Sequence, residues 1–102
     1  MKYAIPTDDG KTVSGVFGRA RNFAIYDDAD SSLVVVANDG INAEHGAGTG
    51  AASFLVERGV GVVLAPEVGP KAASALAAAC VRIERAAAGA SVEETAKKAS
   101  AK

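Results

Sequence analysis

The chain has 102 residues, 49% of them hydrophobic and 23% charged, with eleven Lys and Arg against twelve Asp and Glu and a net charge of -1. That length fits a single domain over 1–102 with one core, and the charge balance gives no global field to draw the protein onto nucleic acid or anionic lipid. The longest apolar runs fall far short of the ~20 residues of a membrane span, the N-terminus lacks a signal-peptide pattern, and Cys80 alone excludes an internal disulfide or a four-thiolate metal centre. A cytoplasmic protein with neither nucleic acid nor membrane as partner is expected.

In chain order, Lys2 to Pro6, Asn22 to Asp27 and Leu33 to Ala37 read as strands, β-branched and aromatic between turn clusters. The polar stretch Asp28-Ala29-Asp30-Ser31-Ser32 predicts an antiparallel hairpin between the second and third. A helix is predicted from about Gly48 to Arg58, with a cation in its last turn and Gly59 behind it. The continuous apolar run Gly61-Val62-Val63-Leu64-Ala65 predicts a strand buried on both faces. Gly69-Pro70 then opens a helix whose core face is predicted to hold Ala73, Leu76, Ala77 and Cys80, with the cysteine as a small buried hydrophobe. Val81 to Glu84 alternates as a partly exposed strand, and Ser91-Val92-Glu93-Glu94 is a capping box for a last helix with Ala96 and Ala99 inside. Strands followed by alternating helix and strand imply a mixed five-stranded sheet with helices on both faces, a three-layer α/β domain.

Chemistry concentrates in a few segments. His45-Gly46-Ala47-Gly48-Thr49-Gly50 runs from a long connection, Asn38 to Ala47, into a helix start, where backbone N–H groups at the positive end of the dipole suit an anion. Gly69 stands at a second helix start, so two such ends are expected to share a crevice at the carboxyl ends of the strands. Gly18-Arg19-Ala20-Arg21-Asn22 adds two guanidinium groups, which pair well with anionic ligands. His45, the one histidine, is either a solvated loop residue or a labile metal ligand. The glycines serve either a ligand or chain turning and packing, and Asp8 and Asp9 read as turn residues that face water.

Val13-Ser14-Gly15-Val16-Phe17-Gly18-Arg19-Ala20, His45-Gly46-Ala47-Gly48 and Val62-Val63-Leu64-Ala65-Pro66-Glu67-Val68-Gly69-Pro70-Lys71-Ala72, in that order, resemble the dinitrogenase iron-molybdenum cofactor biosynthesis family over nearly the whole chain. The resemblance implies a ribonuclease H-like fold and a non-enzymatic carrier or accessory protein. Its cargo would be an anionic iron-sulfur or molybdenum-iron-sulfur cluster, bound transiently, and its partner a metalloenzyme or cofactor-assembly protein. The residues expected to contact the cluster are Arg19, Arg21, His45, Gly46, Gly48 and Gly69, with His45 as the metal ligand. This chain departs from the pattern at Val16, where many members have histidine, at Pro66-Glu67, where a Gly-Asn pair is common, and at Cys80, where glycine is common.

Two other classes compete. Gly46-x-Gly48-x-x-Ala51 matches a dinucleotide fingerprint on paper, but a true one follows the first strand directly. A metal-dependent nuclease needs several carboxylates converging on the ions, and Lys2-Tyr3-Ala4-Ile5-Pro6 carries none.

Overall fold

The first half of the chain builds an antiparallel meander. Strands β1 (Lys2–Thr7), β2 (Asn22–Asp27) and β3 (Ser32–Ala37) pair in sequence, with Ile5 opposite Ala24 and Ile25 opposite Val34. The β2–β3 turn is closed by its own carboxylates: Asp27 accepts from the Ala29 N–H and Asp30 from the Ser32 N–H, both at 3.0 Å. This is the local hydrogen bonding for which Asp is favoured in turns. The computed structural model describes residues 1–40 and 47–101. After residue 46 the chain runs through α1 (Ala47–Glu57), β4 (Val60–Ala65), α2 (Pro70–Ala78), β5 (Arg82–Arg85) and α3 (Val92–Ser100).

β4 joins β1 in parallel and β5 joins β4 in parallel, giving a mixed five-stranded sheet in the order β3-β2-β1-β4-β5. Alternation along the strands separates two cores. Ala4, Phe23, Val63 and Ala65 face Ala51, Ala52 and Leu55 of α1 and Ala72 and Leu76 of α2. Tyr3, Ile5, Tyr26, Val62 and Leu64 face Val92 and Ala96 of α3. Helices therefore cover both faces, as expected from the pattern. Their alanine surfaces bring helix and sheet backbones close together, while full burial of side chains such as Leu55 and Leu76 supplies about 1.5–3 kcal/mol each.

The two edges of the sheet differ. β5 carries Arg82, Glu84 and Arg85, with Arg82 and Glu84 ion-paired at 2.8 Å, a charged edge that discourages further pairing. β3 carries no charge, and Leu33, Val34 and Val35 are all exposed.

Three predicted details are corrected. α1 ends at Glu57, so Arg58 lies beyond the last turn, where its guanidinium sits 4.6 Å over the Phe54 ring; Gly59 takes the expected left-handed turn at φ 78. In α2 the buried residues are Ala72 and Leu76, while Ala77 is exposed. With alanine at most positions, only Leu76 marks the inner face, and the pattern could not tell Ala72 from Ala73.

Cys80 is the third correction: it is exposed, not a core residue. The helix stops at Ala78, and Cys80 follows the C-cap with φ 62. Its N–H donates to the Ala77 carbonyl at 3.0 Å and the Val81 N–H donates to that of Leu76 at 2.9 Å, the Schellman arrangement that usually places glycine where this cysteine stands. A Cβ in the left-handed region costs about 1–2 kcal/mol, offset in part by the flexibility glycine adds to the unfolded chain. Cys80→Gly is therefore expected to raise stability by about 0.5–1 kcal/mol. A urea midpoint at or below that of the wild type would contradict this account of the turn.

Candidate functional site

The β1–β2 and β3–α1 connections meet at one end of the sheet, because Thr7 pairs with Asn22 and Asn22 with Ala37. β4 runs parallel to β1, so Ala65 and the start of α2 belong to the same end. Chain leaves β1 toward β2 on one side and leaves β4 toward β5 on the other, the kind of switch point outside which α/β sheets tend to bind ligands.

The segment from Asp8 to Arg21 has no regular secondary structure and is held by side chains. Thr7, fully buried, donates to the Thr12 carbonyl at 2.7 Å and accepts from the Gly10 N–H at 2.9 Å. Asp8 accepts from the Arg21 N–H at 2.9 Å and from the Ser14 hydroxyl at 3.3 Å. Asp9 accepts from the N–H groups of Lys11 and Thr12, each at 2.8 Å, and from the Thr12 hydroxyl at 2.9 Å. Both aspartates are exposed turn residues, as read from the sequence, and their carboxylates hold backbone N–H groups in addition to facing water. Farther along, Val13 exchanges backbone bonds with Gly89 and Ala90, and the Phe17 ring packs 5.3 Å from that of Phe23.

The N–H donors around Asp9 hold its carboxyl at about 2, below its ordinary 3.8. The folded state thus keeps this group ionised where the unfolded chain would protonate it, so its contribution is complete above pH ~4 and lost as pH falls through about 2. Asp9→Asn is expected to flatten that part of the acid denaturation profile. Superimposable wild-type and variant profiles between pH 4 and 2 would argue against it.

Arg19 and Arg21 extend from this braced segment, exposed, and neither guanidinium has a hydrogen-bond or ion-pair partner among the described residues. Asn38, buried at the end of β3, reaches back to the carbonyls of Gly18 and Ala20. Two residues later Gly40 abuts the α1 backbone so closely that a Cβ would overlap Gly50 and Ala51. The arginine segment is thereby linked to the first turns of α1.

The two helix starts are neighbours: a Cβ on Gly48 would lie 3.3 Å from that of Ala72. Gly48 thus has a packing role, which makes the dinucleotide fingerprint unnecessary to explain it. Gly69 caps α2 with φ -60 and ψ 157, no side-chain cap, and no atom within 4 Å of an added Cβ. No side chain caps this helix end, and the fold does not require glycine there. Glu67 is exposed and lines, with Arg85, a cleft of about 580 Å³ beside α2. His45 and Gly46 lie outside the described residues. Cys80 follows the opposite end of the nine-residue α2, a helix about 13 Å long.

Among the described residues, no three or more His, Cys, Asp or Glu side chains come together as a metal site. The described residues offer instead two cations without partners among them and two adjacent helix ends, a set suited to an anion.

The family model described as dinitrogenase iron-molybdenum cofactor matches residues 1–102. The chain belongs to that family. An uncharacterized protein of Methanocaldococcus jannaschii is 34% identical over 77 residues, and the match spans 72% of this chain but only 64% of that relative. Among solved structures, the apo form of the orange protein from Desulfovibrio gigas superposes with a TM-score of 0.88 at 32% identity, covering 98% of this chain and 87% of that one. A Thermotoga protein provisionally named NifB and placed in the DUF35 family superposes with a TM-score of 0.79 at 36% identity, again covering 98% and 87%.

Sequence reasoning named the arginines and the helix starts as candidates and did not single out Thr7, Asn38 or Gly40, whose hydrogen bonds and close packing brace that end of the sheet. The signal for the last two was present, since an Asn-Asp-Gly run directly after a strand is a turn former whose first side chain bonds backbone.

Proposed function

We propose that this protein is a carrier, not an enzyme, that holds an anionic iron-sulfur or molybdenum-iron-sulfur cluster, or a precursor of one, as cargo during cofactor assembly. The observation that carries this reading is the pair Arg19 and Arg21, unpaired among the described residues on a braced segment beside two helix starts. Family membership supports the ligand class, and an orange protein solved in an apo form is in keeping with an absorbing ligand. Cargo held by charge and few fixed ligands is easily released, as a carrier requires. His45 and Gly46 belong to this reading on sequence grounds, His45 as the metal ligand, and the helix starts at Gly48 and Gly69 supply N–H groups. A metalloenzyme or cofactor-assembly protein would receive the cluster in the cytoplasm. No helix among the described residues is long and apolar enough to cross a membrane. The strand order supports a ribonuclease H-like classification of a single domain.

The test is anaerobic reconstitution with iron, sulfide and molybdate, followed by visible absorption and metal analysis. Wild type is expected to retain a chromophore after gel filtration, and Arg19→Ala to bind it about tenfold more weakly, the loss of one charge-assisted hydrogen bond. His45→Ala is expected to shift the absorption bands. A colourless wild type would sink the reading.

A further inference from the structure

We infer that Asn38 is a positioning residue, one that holds the peptides leading into Arg19 and Arg21 so that the two guanidiniums act on the cargo together. The inference rests on the carrier reading above and adds a residue that touches no cargo.

Asn38 is 4% exposed, and its carboxamide is committed on every side. The Nδ2 group donates to the Gly18 carbonyl at 3.0 Å and the Ala20 carbonyl at 2.9 Å, while Oδ1 accepts from the Gly40 N–H at 3.1 Å. Its own N–H donates to the Arg21 carbonyl at 3.0 Å. The amide orientation is fixed by these partners, since the reverse would set oxygen against two carbonyls and NH₂ against an N–H. Gly18 and Ala20 supply the carbonyls of the peptides immediately before Arg19 and Arg21. One side chain therefore sets both peptide planes, and through Gly40 it ties them to the chain that packs on α1. A segment without helix or strand could otherwise hold its arginines in many relative orientations, and ordering them on binding would weaken affinity.

A double-mutant cycle tests this, using iron, sulfide and molybdate as the probe and metal retained per folded protein as the readout. Asn38→Ser is expected to weaken retention about tenfold in the background that keeps both arginines, as loss of a supporting hydrogen bond typically does. In an Arg19→Ala, Arg21→Ala background it should weaken retention less than twofold, because groups acting through one another are not additive. Equal losses in both backgrounds would reduce Asn38 to a fold residue and overturn the inference. Asn38→Gln, which keeps the carboxamide one methylene too far out, serves in the same cycle if the serine variant does not fold. With every variant built on Cys80→Gly, which removes the exposed thiol as a second iron donor, an Arg19→Ala, Arg21→Ala protein that retains metal like its parent would show that the carrier site itself is misplaced. Amide relaxation of the metal-free protein separates the two failures: Arg19 should become mobile in the Asn38 variant while Phe23 stays rigid, and an unchanged Arg19 overturns the positioning role whatever the cargo.

Discussion

Gly40→Ala is expected to lower stability by about 3 kcal/mol or more, the upper range for overpacking, and the melting temperature by more than 10 °C for a chain of this size. The added methyl would overlap the carbonyl of Gly50 and the nitrogen of Ala51. Those are helix backbone atoms, so no side chain can swing aside, and either α1 or the end of the β3 connection must move. Gly15→Ala and Gly69→Ala provide the comparison, since an added Cβ meets nothing within 4 Å at either position. Thermal melts of the three variants decide the matter, and a wild-type melting temperature for Gly40→Ala would show that α1 is not seated against this residue.

Phe17→Ala is expected to be comparably severe, about 3–5 kcal/mol for an aromatic removed from a core. Phe17 is 3% exposed and its ring lies 5.3 Å from Phe23, which in turn sits 6.4 Å from Phe54 of α1. The three rings join the braced segment, the sheet and the helix. The same variant should lose cluster retention beyond what its folded fraction explains, because Arg19 is two residues away. Val16→Ala, at an exposed neighbour, should do neither. Urea titration with reconstitution on both variants is the measurement, and a Phe17→Ala protein as stable as Val16→Ala would remove the ring from the core.

Element types were legible because their signals are local: Gly69-Pro70 does start α2, and Ser91 does cap α3, accepting from the Glu94 N–H at 3.3 Å. Location was less so. Leu33 to Ala37 and Gly61 to Ala65 are nearly interchangeable as apolar runs, yet β4 is paired on both sides and buried while β3 is an exposed edge. What distinguishes them is which strands they meet, a property of the whole chain. The candidate site divides the same way. Arginine and glycine announce an anion site by chemistry, whereas Asn38 and Thr7 matter through partners 18 to 20 and 3 to 5 residues away.

The turn after α2 bears on how any iron signal should be interpreted. Cys80 is the chain's one thiol and it is exposed, so iron and sulfide added in excess will find a soft sulfur donor past the far end of α2. Colour surviving in Arg19→Ala is therefore ambiguous in the natural sequence. Cys80→Gly removes that background and relaxes the turn at the same time, which makes it the sounder parent in which to compare every other variant.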